Sequence, residues 1–198
     1  MNIGLTGGIA TGKSTVSQML VKRGALLIDA DIVAREVMLP GHPVLDAVVA
    51  HFGQAMLLPD GTLNRKKLGE HIFAHKEERK VLEGITHPAI RAEMRSRAAA
   101  LESQHPGKLI VSDIPLLYET GQGDSFDEVM VVYIPREMQL SRLMKRNDLT
   151  REEALARISA QMDIEEKKRL ADIVIDNSLG LEHTEQQINQ FWLGKGLS

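Results

Sequence analysis

Gly7-Gly8-Ile9-Ala10-Thr11-Gly12-Lys13-Ser14 follows the pattern G-x-x-x-x-G-K-S. Every fixed position in that pattern has a task with a polyphosphate. Glycines let the backbone curl so that its N–H groups point inward at phosphate oxygens. Lys13 sets a positive charge against the β- and γ-phosphates, and the hydroxyl of Ser14 is a hard oxygen ligand for Mg²⁺. The chemistry implied is that of a nucleoside triphosphate held by its phosphate chain and its metal.

Other residues could supply the rest of a phosphoryl transfer. Asp31 follows the second apolar run of the chain. A carboxylate there can take the proton of an acceptor hydroxyl or orient its oxygen. It can equally cap a helix over residues 32–38, since aspartate is a favoured cap. Asp29, two residues earlier, can help to organise such a site. Arg35 is four residues beyond Asp31 and shares its helix face, so it either binds an acceptor phosphate or pairs with Asp31. Arg142 and Arg146 are also four apart. They can close over a triphosphate and stabilise transition-state charge, or form with Lys145 a solvated helix face. Arg136 and Arg151 are lesser candidates of the same kind. Asp113 ends the third apolar run and can hold Mg²⁺ through water. In the segment after it, Pro115-Leu116-Leu117 reads as a packed wall and Glu119 is the charged residue. His87 reads as a capping or packing residue between two helices, and the seven histidines are expected to show no metal-ligand spacing such as H-x-x-x-H.

These side chains need a scaffold. Asn2-Ile3-Gly4-Leu5 predicts a buried first strand. Residues 14–23 fit a helix with Val16, Met19 and Leu20 on one face, ended by Lys22-Arg23 and Gly24. Strand, loop and helix in that order set a helix N-terminus under the phosphates. Further apolar runs at 25–28, 109–111, 129–134 and 173–175 predict four more strands. They are continuously apolar rather than alternating, as in strands covered on both faces. Helical stretches separate them, which predicts an α/β fold with a five-stranded parallel sheet and ligands at the carboxyl ends of its strands. About eighty residues separate the second and third strands, too many for one crossover helix, so a helical insertion is expected there. Within it, helices are predicted at 44–52, from Asn64 to about 74, at 77–85 and from Pro88 to about 103. Residues 135–144 form a helix, and Thr150-Arg151-Glu152-Glu153 is a capping box that starts another. An arginine-rich helix pair on the phosphate side of the sheet has the makings of a closing lid.

Composition narrows the classes. With 198 residues, one well-cored domain with a small insertion is expected. A net charge of −3 gives no basic field to attract nucleic acid. The absence of cysteine excludes disulfides and thiol catalysis. No apolar run is long enough to span a membrane, and the first residues read as strand and loop rather than a signal peptide. The expectation is a soluble, cytoplasmic protein.

The set as a whole resembles the dephospho-CoA kinases, a family of P-loop kinases. The resemblance is carried by Thr6-Gly7-Gly8-Ile9 with Gly12-Lys13-Ser14-Thr15, by Asp29-Ala30-Asp31 with Ala34-Arg35, and by His87-Pro88 with Ile90-Arg91. Pro115-Leu116-Leu117-Tyr118-Glu119 matches the family's P-L-L-[FY]-E. Gln139, Arg142, Arg146, Gln161-Met162, Ala171-Asp172 and Asp176-Asn177 continue it in order. It implies a P-loop NTPase-type parallel sheet flanked by helices, with a core at about 1–39, 108–135 and 165–198, an acceptor-binding helical insertion at about 40–107 and a lid at about 136–164. The implied reaction is ATP-dependent phosphorylation of the ribose 3′-hydroxyl of dephospho-CoA, the last step of coenzyme A synthesis, with Mg²⁺ as cofactor.

In that reading Asp31 is the general base, with Lys13 and Arg142 also catalytic. ATP meets Gly8, Ala10, Thr11, Gly12, Lys13, Ser14, Thr15, Arg142, Arg146 and Asn177, and Ser14 ligands the metal. Dephospho-CoA meets Thr6, Asp31, Arg35, His87, Arg91, Leu116 and Glu119. The partners implied are these two small molecules, with no nucleic acid and no membrane, and a monomer or weak homo-oligomer. A kinase for a nucleoside monophosphate or another small metabolite is the enzyme rival, and a nucleotide-dependent switch ATPase is the rival from another class. One departure from the family stands out: the loop often reads Gly-Ile-Gly-Ser-Gly, whereas this chain has Ala10 at the second glycine. Alanine disfavours positive φ, so Ala10 is expected at negative φ, with Ala10→Gly altering ATP affinity little.

Overall fold

In a computed structural model, which describes residues 1–197, the apolar runs become a five-stranded parallel sheet. Its strands are β1 (Asn2–Gly7), β2 (Leu26–Asp29), β3 (Ile110–Asp113), β4 (Glu128–Tyr133) and β5 (Ile173–Asp176), in the spatial order β2-β3-β1-β4-β5. Strand β1 pairs with β3 from Asn2 opposite Ile110 to Leu5 opposite Asp113, and with β4 from Ile3 opposite Glu128 to Gly7 opposite Val132. The three inner strands are almost wholly buried, while β2 and β5 at the edges are only partly so. Covering both faces of an inner strand is why its sequence reads as a continuous apolar run.

The chain divides into two compact units, one made of Met1–Ile28 with the described residues from Ala98 onward, the other of Asp29–Arg97. In the first, helices α1 (Lys13–Lys22) and α9 (Leu181–Gly194) contribute to one core with the sheet. Ile3 and Leu5 of β1 meet Val16 and Leu20 of α1, Ile188 and Trp192 of α9, and Met130 and Val132 of β4 there. Three more helices follow β4: α6 (Arg136–Asn147), α7 (Arg151–Ser159) and α8 (Ile164–Leu170). Helix α6 stops where Asp148 turns left-handed, at φ 51°. Helix α7 starts with the expected capping box. The Thr150 side chain accepts from the Glu153 N–H at 3.2 Å, and the Glu153 carboxylate accepts from the Thr150 N–H at 2.9 Å.

The second unit is helical: α2 (Ala30–Glu36), α3 (Pro43–Phe52), α4 (Arg65–Ala74) and most of α5 (Lys76–Gln104). Here one expectation needs correcting. Residues 77–85 and 88–103 are not two helices joined at His87-Pro88 but parts of a single 29-residue helix, with Pro88 inside it. Proline removes one N–H and crowds the carbonyl four residues back, which belongs to Gly84. Both Gly84 and Pro88 are on the exposed side of the helix, where water can serve that carbonyl. His87 is therefore a mid-helix residue, neither a cap nor a joint.

The capping box makes a direct prediction. Thr150→Ala should cost about 1 kcal/mol, seen as a melting temperature about 2–4 °C lower.

Candidate active site

The loop between β1 and α1 is shaped by side chains that reach it from elsewhere in the same unit. The amide of the Gln139 side chain, on α6, donates to the Ile9 carbonyl at 2.8 Å. The Gln161 side-chain oxygen, just past α7, accepts from the Ile9 N–H at 2.7 Å. Ile9 thus has both backbone groups clamped by glutamines. The next residue, Ala10, is held at φ 64°. The expected negative φ is wrong: the fixed peptide before Ala10 and the turn required after it force the left-handed region on a residue that ordinarily avoids it. Thr11 closes the turn, its N–H and its hydroxyl both donating to the Gly8 carbonyl at 3.2 and 2.8 Å. Gly12 follows at φ 90°, and a Cβ there would run into the side-chain nitrogen of Asn177. That nitrogen donates to the Thr11 carbonyl at 2.8 Å, while the Asn177 oxygen accepts from the Thr184 hydroxyl at 2.8 Å.

These contacts leave a cradle of backbone N–H groups at the head of α1, where the helix dipole favours an anion. Beside it lies a cavity of about 620 Å³ lined by Ala10, Gly12, Thr15, Arg142, Lys145, Arg146, Asn177, Gly180 and Leu181. Arg142 is fixed by donating to the Asn177 carbonyl at 3.0 Å, and Arg146 donates to Asn147 at 2.8 Å. Lys13 forms an ion pair with Asp113, the buried last residue of β3. Ser14 is exposed beside it. Cationic side chains, inward N–H groups and a helix N-terminus converge on one space, which suits a nucleoside triphosphate. The Ser14 hydroxyl and the Asp113 carboxylate are hard oxygen donors of the kind that Mg²⁺ takes alongside water and phosphate.

Comparison with known proteins agrees with this geometry. The family model described as dephospho-CoA kinase matches residues 1–183. A dephospho-CoA kinase from Carboxydothermus hydrogenoformans is 51% identical over 186 residues, covering 94% of this chain and 90% of the relative. One from Bacillus licheniformis is 48% identical over 189 residues, covering 95% and 93%. The chain belongs to the dephospho-CoA kinase family. Among solved structures, the Campylobacter jejuni dephospho-CoA kinase superposes with a TM-score of 0.77 at 33% identity, covering 98% of each chain. An Acinetobacter baumannii shikimate kinase, at 19% identity and a TM-score of 0.53 over 100% of this chain and 95% of its own, shares the fold.

The expected site residues fall into two groups. Gly8 through Thr15, Arg142, Arg146 and Asn177 are gathered around the loop in the first unit, as are Thr6, Leu116 and Glu119 on its neighbouring segments. The Thr6 hydroxyl donates to the Pro115 carbonyl at 3.1 Å. Leu116 is partly exposed, and Glu119 pairs with Lys167 at 2.9 Å and accepts from the Met162 N–H at 2.9 Å. Asp31, Arg35, His87 and Arg91 are carried by the second unit. There the cap of α2 is Asp29, whose carboxylate accepts from the N–H groups of Asp31 and Ile32 at 2.8 and 3.2 Å. The Asp31 side chain makes no hydrogen bond or ion pair among the described residues, with Arg35 or otherwise.

Two features escaped the sequence reading. His71 and His75 do stand four apart on α4, at the spacing the expectation overlooked. Their rings stack with centroids 4.7 Å apart, and no group of three potential ligands surrounds them among the described residues. More consequential is Lys167, which has no exposed surface at all. Burial pulls its pKa down, against the opposing pull of Glu119. Its one sequence signal is phase: Ile164, three residues earlier, is also buried, so Lys167 lies on the inner face of α8.

The left-handed pair Ala10 and Gly12 should respond unequally to exchange. Ala10→Gly is expected to shift stability by less than about 1 kcal/mol, because relief of the left-handed backbone is set against the lost methyl packing and the freer unfolded chain. Gly12→Ala should destabilise it by about 1–3 kcal/mol, through strain and the collision with Asn177. Paired thermal melts check both, and a Gly12→Ala protein melting with the wild type would remove the close-approach argument.

Proposed function

We propose that the chain transfers the terminal phosphoryl group of ATP to the ribose 3′-hydroxyl of dephospho-CoA, with Asp31 as the general base. The observation that carries the role of Asp31 is the division of labour at the head of α2. Asp29 takes the cap, so the Asp31 carboxylate keeps its lone pairs for an acceptor hydroxyl. In the reaction, Asp31 accepts the 3′-hydroxyl proton, the oxygen bonds to the γ-phosphorus, and the bond from that phosphorus to the β,γ-bridging oxygen breaks to release ADP.

The backbone of residues 10–15, through N–H groups other than those of Thr11 and Thr15, which donate to the Gly8 and Gly12 carbonyls, and the ammonium of Lys13 hold the β- and γ-phosphates. Arg142 and Arg146 face the same phosphates from α6, which belongs to the lid at 136–164. Asn177 lies toward the adenine end of the cavity. Ser14, and Asp113 through water, would hold Mg²⁺, which when bound neutralises phosphate charge. Thr6, Arg35, His87, Arg91, Leu116 and Glu119 bind dephospho-CoA, with the helical insertion at 40–107 as the acceptor-binding part. The partners are these two small molecules. No helix among the described residues is long and apolar enough to cross a membrane, and the cytoplasm, where ATP is made and used, is the compartment proposed.

A coupled ADP-release assay comparing dephospho-CoA with AMP, CMP, dTMP and shikimate tests the acceptor, and dephospho-CoA should give the highest kcat/KM. Asp31→Asn should lower kcat by about 10²–10⁴ while ATP still binds. A kcat within a few-fold of wild type would end the general-base role. Lys13→Ala should weaken ATP binding and transfer together.

A further inference from the structure

Helix α8 carries a run of charges, Glu165-Glu166-Lys167-Lys168-Arg169, in which Lys167 alone is completely buried. A lysine ammonium has three protons to donate. Lys167 directs them to three acceptors: the Gly7 carbonyl at 3.3 Å, the Pro115 carbonyl at 3.2 Å and the Glu119 carboxylate at 2.9 Å. Gly7 is the first residue of the phosphate-binding loop. Pro115 and Glu119 bracket the segment that leaves β3. One buried charge therefore ties together the loop's entry, the segment beside it and the helix that returns from the lid.

An apolar pair could fill this volume at no loss of stability, because desolvating two ions offsets most of their attraction. What an apolar pair could not do is fix the direction of two carbonyls. In a planar trans peptide the C=O and the next N–H point opposite ways. Holding the Gly7 carbonyl toward Lys167 therefore aims the Gly8 N–H away from it and sets the plane from which the loop begins its turn. The same stretch of chain repeats the device: Gln161 takes the Ile9 N–H, and the Met162 N–H goes to Glu119.

We propose that Lys167 is a positioning residue for phosphoryl transfer, fastening the Gly7 carbonyl and residues 115–119 so that the loop meets the ATP phosphates in a fixed orientation. Its charge is also close enough to the Lys13 ammonium for the two to repel. Glu119 and Asp113 each neutralise one of them.

Lys167→Met alone leaves Glu119, whose side chain is 19% exposed, without its cation, and Glu119→Gln alone leaves the wholly buried Lys167 with neutral acceptors only. Lys167→Met/Glu119→Gln removes both charges and is the variant that carries the test, with Glu119→Gln alone as its reference. At a temperature where both melt well above the assay, the double variant should show a kcat about tenfold or more below that of Glu119→Gln, with a raised KM for ATP, since small misplacements of phosphate-binding groups are costly. Lys167→Gln in the Glu119→Gln background, which keeps a donor, should recover part of that loss. If the double variant matches Glu119→Gln within about twofold in kcat and in KM for ATP, Lys167 only supports the fold and the proposal fails. Substrate preference in the acceptor assay above is a separate reading, so failure here leaves the acceptor assignment standing.

Discussion

A loop can present its N–H groups to a polyphosphate only if its own carbonyls are held down by something else. That constraint organises the first unit of this protein. The carbonyls of Gly7, Gly8, Ile9 and Thr11 are taken by Lys167, by Thr11, by Gln139 and by Asn177 respectively. Each anchor comes from a different part of the unit, so the loop's shape depends on α6, α8, the end of β5 and the loop itself. The result is preorganisation: ATP finds the donors already aimed, and little rearrangement is needed when charge develops in the transition state. The left-handed Ala10 is the local cost of that arrangement, of order 1 kcal/mol.

Charge is arranged in the same spirit but with two kinds of rigidity. Lys167 has all its donors committed and no exposed surface, so it is a fixed element of the field. Lys13 is partly exposed and pairs with Asp113, which holds a long, flexible side chain at the carboxyl edge of β1 and β3. Arg142 is pinned by one donor to the Asn177 carbonyl, which leaves the rest of its guanidinium for a ligand. The contrast assigns these cations different work. The locked one sets backbone geometry, and the partly free ones can meet phosphate.

What the sequence disclosed follows from the range of the forces involved. The five strands, the capping box at Thr150 and the loop motif are local patterns, fixed by apolar periodicity or by groups three residues apart, and they were legible. Ala10 was misjudged because intrinsic preference pointed one way and two glutamines more than a hundred residues distant pointed the other. Pro88 reads as a helix boundary because proline usually is one, yet an exposed proline flanked by many helical turns costs less than breaking the helix. Asp31 reads from the sequence as base or cap, and the hydrogen bonds give the cap to Asp29 instead. Lys167 sat in a charged run beside Lys168 and Arg169, and only its phase relative to Ile164 set it apart.

The alanine at position 10 also ties the loop to α6 and α7. Ile9 and Ala10 pack against Leu140 and Leu143 of α6 and Ala154 and Ile158 of α7, with Met144, Leu149 and Leu155 around them. Burying one methyl is worth about 0.8 kcal/mol, close to the left-handed cost at the same residue. The two effects nearly cancel, so an alanine can persist where conformation alone would favour glycine. The packing has a mechanical consequence. The loop, α6 and α7 share one apolar cluster, so swinging the two helices as a body would pull on Ile9 and Ala10 and disturb the clamped peptide between them. Arg142, Lys145 and Arg146 line the cavity beside the loop and lie outside that cluster, so their side chains can turn without disturbing it.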